Sequence, residues 1–177
     1  MRHRYLTLRS LARVSCVLGL VALASPLQAG AQQPSAAGAM RLFASAGDIS
    51  AMIAKAKAER KPDQANFIQP VVKATGYTLN LEYRVAGPKA AASVHEKEAE
   101  IFFVVEGSGT AVTGGTLRDS NRTNPENLSG SAIDGGETRK LAKGDVLLVP
   151  EGVPHWFDPT AGGTLVLLSL HMPHWAH

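Results

Sequence analysis

Two short signatures constrain this chain more than anything else in it: His95-x4-Glu100-x6-Gly107 and, further along, Gly144-x5-Pro150-x-Gly152-x2-His155. They bring two imidazoles and one carboxylate into a stretch whose other signals are those of strands. That ligand set suits a non-haem metal centre with coordination positions left open. His95 and Glu100 are five apart, so one regular strand would point them to opposite faces. Glu96-Lys97-Glu98 between them is turn-compatible, which lets His95 end one strand and Glu100 begin the next. Glu106-Gly107-Ser108-Gly109 then reads as the turn that closes the second strand. In the second signature Lys143-Gly144-Asp145 is a turn, Val146 to Val149 a buried strand, and Pro150-Glu151-Gly152 the turn that delivers His155. Trp156 and Phe157 give that histidine a partly apolar setting.

The flanking chain supports an all-β reading with one helix. Ile49, Met52, Ile53 and Ala56 recur at helical spacing, Ser45 or Asp48 can cap the helix, and Pro62 ends it, which places a helix over 45–62. Beyond Pro70 the pattern changes to strands, over 70–173. Tyr77 to Arg84 alternates apolar and polar, and Gly87-Pro88 stops it. Ile101 to Val105, Val146 to Val149 and Thr164 to Leu170 are continuously apolar, so cover is expected on both faces. A barrel buries only the inner face, and the outer one then requires the helix or a second copy, hence a possible homodimer. The polar stretch from Gly114 to Lys140 reads as a surface excursion beside the site. Residues 32–44, rich in Gln, Pro, Ser, Ala and Gly, read as a disordered lead-in.

Residues 1–31 have the parts of an export signal. Arg2, Arg4, Arg9 and Arg13 form a basic region, Val14 to Ala24 an apolar one, and Ala29-Gly30-Ala31 a cleavage site. The apolar run is short for a membrane span, which needs about 20 residues. Cleavage after Ala31 and a periplasmic or secreted location without a stable membrane anchor are therefore expected. The signal holds four basic and no acidic residues, so cleavage moves the formal charge from +3 to +3 − 4, or −1. The basic balance belongs to the signal, and nucleic acid is not an expected partner. Cys16, the one cysteine, leaves with it, so any metal must be held by His, carboxylate and water.

The two signatures resemble the conserved motifs of the cupin superfamily, G-x5-H-x-H-x3,4-E-x6-G and G-x5-P-x-G-x2-H-x3-N, over roughly Tyr77 to His171. His95 matches the second histidine of the first motif, Glu100 its glutamate and Gly107 its closing glycine. Gly144, Pro150, Gly152 and His155 match the second. The resemblance implies a jelly-roll-like double-stranded β-barrel. It also implies a divalent metal ion (Fe, Mn, Ni or Zn) held by His95, Glu100 and His155. Two positions depart from the pattern: Ser93 stands where the first histidine would be, and Pro159 replaces the final asparagine. His171 shares strand parity with Ser169 and is a candidate substitute ligand, with an ordinary surface histidine as the plainer reading.

The expected activity is that of a metal-dependent enzyme on a small organic molecule, dioxygenase-like or isomerase/lyase-like. A non-catalytic barrel that sequesters a small ligand or a metal is the alternative, and metal-free acid/base chemistry by His95 or His155 a third reading. Tyr83, Glu82 and Arg84 are candidate pocket residues, although residues of an alternating strand usually divide between core and solvent. Glu96, Lys97, Glu98, His174 and His177 read as solvated.

Overall fold

The computed structural model describes residues 40–174, so the signal, residues 32–39 of the lead-in, and His177 lie outside the described residues. Helix α1 (Ala46–Glu59) is capped by Ser45, whose hydroxyl accepts from Asp48 N–H while the Asp48 carboxylate accepts from Ser45 N–H. This reciprocal pair satisfies donors that a helix start leaves orphaned.

Twelve strands follow among the described residues. They are β1 (Asn66–Ala74), β2 (Tyr77–Val85), β3 (Ala92–His95), β4 (Glu98–Thr113), β5 (Thr116–Arg118) and β6 (Asn121–Asn124). The rest are β7 (Asn127–Gly130), β8 (Ala132–Asp134), β9 (Glu137–Ala142), β10 (Val146–Val149), β11 (His155–Pro159) and β12 (Thr164–Pro173). Pairing is antiparallel, in the order β1-β2-β12-β4-β11-β3-β7-β6, with β10 and β9 also on β4. The 16-residue β4 belongs to both halves of the curled sheet. Its first part pairs with β12 and β10, its last part with β11 and β9.

Alternation along these strands builds two apolar layers. Inward residues Phe102, Val104, Ala111, Leu141, Val149, Phe157, Leu165 and Leu167 fill the barrel. Residues of opposite parity, Leu81, Tyr83 and Val166, meet Val71 and Ala56 beneath α1. The helix therefore covers the outer face over β1, β2 and β12, as the continuous apolar runs require. Tyr83 is thereby a core residue and not part of a pocket.

Four expectations change. β1 begins at Asn66, before Pro70, and the proline sits at a register shift within it. An outer strand with a bulge tolerates a missing N–H. Glu106 to Gly109 is a bend within β4 and not its end: the β12 ladder shifts register beside it and continues. The outer face is not covered throughout, since Phe103, Val146 and Leu148 stay exposed on β4 and β10. A second copy, if present, would have that strip to cover. Finally, 114–140 is not an irregular loop: β5 pairs with β8 around the β6–β7 hairpin, and β7 joins β3 in the barrel.

Candidate metal centre

The two signatures meet through the backbone before their side chains do, because Gly152 N–H donates to His95 C=O at 2.8 Å. Positive φ at Gly152 (70°) allows that turn. Glu100, the second inward residue of β4, is buried at 2% exposure. Around its carboxylate stand three imidazoles. His95 Nε2 lies 3.3 Å and His155 Nε2 3.2 Å from Oε2, and His171 Nε2 lies 2.8 Å from Oε1. The His95 ring centroid is 5.3 Å from that of His155 and 5.4 Å from that of His171.

His95, Glu100 and His171 present ligand atoms within 4.8 Å of one another, a group that can hold a metal ion. His155 joins from the Oε2 side. The sequence reading offered His95, Glu100 and His155 as ligands with His171 as a candidate substitute; the structure brings all four side chains together, and β12 delivers His171 directly opposite Glu100 in register. Ser93 faces the same interior from β3, opposite His155, and contributes no imidazole. Arg84 points elsewhere: its guanidinium lies 4.9 Å above the Phe157 ring and pairs with buried Glu82.

The outer nitrogens decide what the inner ones can do. His95 Nδ1 is 2.6 Å from Asn127 Oδ1, His171 Nδ1 is 3.0 Å from Glu98 Oε2, and His155 Nδ1 is 3.4 Å from Val153 C=O. All three partners are acceptors, so each Nδ1 carries a proton and donates. Each Nε2 is then the nitrogen that can present a lone pair to the centre, the orientation that outer partners impose in metal sites. Meanwhile Glu100 Oε2 is buried with no aligned hydrogen-bond donor, despite two nitrogens beside it. Three imidazole nitrogens that converge on one buried carboxylate are arranged as a metal's ligands would be. Glu98 and Asn127 were missed in the sequence, Glu98 because its charged neighbours suggested solvent and Asn127 because it lies in the polar excursion.

Burial pushes the Glu100 carboxyl up, but the imidazoles of His155, His171 and His95 beside it outweigh that and hold the carboxyl far below its ordinary range. His171 moves the other way. Burial pushes its imidazole down, the bond and charge of Glu100 and then of Glu98 push it up, and it ends at about 9. His95 is raised too, with burial opposing and Glu100 and Asn127 favouring the charged form. Without a metal, imidazolium therefore balances Glu100.

A group raised from 6.5 to about 9 on folding lends stability that is complete below pH 6.5 and is lost as the pH climbs through about 9. Metal-free protein is expected to lose on the order of 2 kcal/mol across that window, read as a falling urea midpoint. His171→Gln should flatten the slope.

The cupin family model matches residues 83–170, a segment that holds both signatures and ends one residue before His171. No curated protein matches the chain. Among solved structures, TT1209 of Thermus thermophilus is similar at 19% identity and TM-score 0.48, covering 69% of this chain and 95% of that one. Fe(II) HppE is similar at 18% and 0.46 (62% and 52%), and recombinant oxalate oxidase in complex with glycolate at 14% and 0.46 (64% and 53%). The chain thus spans about half the length of those last two. Likenesses at this level say nothing about activity. With both signatures inside the matched segment and a curled antiparallel barrel around them, the chain belongs to the cupin superfamily.

Proposed function

We propose that this chain is an exported, metal-dependent cupin enzyme that acts on a small oxygen-bearing organic molecule, by dioxygenase-like or isomerase/lyase-like chemistry. The ion, one of Fe, Mn, Ni or Zn, would be held by Nε2 of His95, His155 and His171 and by the Glu100 carboxylate. One observation carries the reading: three imidazoles donate outward through Nδ1 and present Nε2 inward around one buried carboxylate. A divalent ion there supplies Lewis acidity toward a substrate oxygen, or a place to activate dioxygen.

The chain's own residues do the rest. Glu100 supplies a negative charge that needs a cation. Asn127 and Glu98 fix which nitrogen of His95 and His171 faces inward. Phe102 and Phe157, with ring centroids 4.6 Å apart and Phe102 5.7 Å from His155, give the cluster an apolar floor that excludes water. Ser93 places a small side chain where the resemblance would put a further imidazole.

The test is metal content after maturation by the native export route, then reconstitution with Fe(II), Mn(II), Ni(II) and Zn(II) in turn. Each form is assayed for dioxygen uptake with catechols, flavonols and diketones, and for isomerisation of sugars. The expected result is one ion per chain and turnover that chelation removes and the ion restores. Protein that stays metal-free with all four ions overturns the reading. Turnover that survives chelation points instead to acid/base chemistry by His95 or His155, and tight stoichiometric binding without turnover to a sequestering barrel.

A further inference from the structure

A cavity of about 320 Å³ lies apart from the metal cluster, lined from β2 and β11, which share no ladder of backbone hydrogen bonds. The loop after β2 contributes Gly87 to Ala90 to its wall and is pinned at both ends. Ala86 N–H donates to Gly163 C=O at 3.2 Å, and Trp156 Nε1–H donates to Ala90 C=O at 3.1 Å. His155 and Phe157 follow each other on one face of β11, and Phe157 lines the cavity while packing on Phe102. The Phe102–Phe157 pair thus stands between cavity and metal cluster.

The chemistry of the lining is specific. Arg84 gives Nε and Nη2 to Glu82 Oε2, and Glu82 also accepts from Asn66. Its Nη1 has no partner among the described residues. Lys89 has no ion pair or hydrogen bond among them either, and lines the same cavity. Because the Trp156 N–H is already satisfied, its ring offers only an apolar surface. Two cationic donors beside a flat aromatic wall match a carboxylate attached to a planar ring. Asp158, also on the lining, opposes a second negative charge on the ligand.

We propose that this cavity is a second binding site, for a small aromatic monocarboxylate, with its carboxylate on Arg84 Nη1 and Lys89 and its ring against Trp156. The site does not depend on the metal reading. Its size falls at the lower end of small-molecule pockets, which run from about 300 to 1,000 Å³.

The probe is benzoate, titrated calorimetrically into the full mature chain, metal-free and metal-loaded, with benzamide as a neutral isostere and acetate as a ringless acid. Trp156 emission is followed in a Trp175→Phe background, where it is the one remaining indole. Saturable benzoate binding in both metal states is expected, with quenching of Trp156, and weaker binding of benzamide and acetate. Lys89→Glu, at an exposed position, should weaken benzoate at least about tenfold, and Asp158→Asn should strengthen it. Arg84→Met should weaken it as well, but it strands Glu82, so the Lys89 variant decides. Equal affinity for benzamide, an unchanged Kd in Lys89→Glu, or no saturable binding would overturn the site. So would loss of benzoate binding in His171→Ala, which would place the ligand at the metal cluster.

Discussion

Replacing His171 by Ala is expected to lower metal affinity on the order of 10²-fold or more, since a four-ligand site divides a binding free energy of about 10–16 kcal/mol among its ligands. The same change should leave the barrel folded. His171 stands near the end of β12, with its side chain partly exposed, and it meets Glu98, Glu100 and the His95 ring while lying outside the apolar core. Metal content after dialysis, with the thermal midpoint in excess metal as a second readout, separates the two outcomes. The sharper experiment adds Ser93→His to His171→Ala. Position 93 faces the interior opposite His155, where the resemblance would place an imidazole. The double variant is expected to regain much of the lost affinity. Retention of full affinity in His171→Ala alone would remove His171 from the ligand set and leave His95, Glu100 and His155.

Gly107→Ala is expected to abolish folding, or to cost more than about 4 kcal/mol, the range of exceptional single changes. Two causes act together. Gly107 has φ +81°, and a Cβ there would stand 1.9 Å from Thr164 C=O and 2.8 Å from its carbonyl carbon. Those atoms belong to the backbone of Thr164, the first residue of β12, so no side-chain rotation relieves the clash. Gly144 is the control. Its φ is +95° but a Cβ there meets nothing within 4 Å, so Gly144→Ala should cost only about 1–3 kcal/mol of backbone strain. Soluble yield and urea midpoints of the two variants test the contrast, and similar stabilities would show that β4 and β12 can separate at this bend.

The signatures made much of the fold legible because turns and parity are local properties. Ser45 and Asp48 marked the start of α1, and the apolar runs marked β4 and β12 as strands wanted on both faces. The same runs misled about β10. Val146 and Leu148 point outward, and α1 is one helix of 14 residues that covers only part of the sheet. Glu106 to Gly109 misled in another way. Two glycines close together look like a turn, but a long strand shared by both halves of a barrel needs glycine where it bends.

What the sequence by itself determined is the set of candidate ligands whose positions follow from local rules. Turns place His95 and His155 at strand ends, and period-two alternation turns Glu100 toward the same interior. What only the tertiary structure decided is the rest of the centre. His171 and Glu98 are 73 residues apart, and His95 and Asn127 are 32 apart. Their meeting depends on the register of β12 on β4 and of β7 on β3. Register between strands distant in sequence is set by how whole faces pack, since a slip of one residue would turn His171 out to the other face. No local pattern near either partner contains that information, so parity could offer His171 only as a candidate, and its place beside Glu100 was decided when the barrel closed.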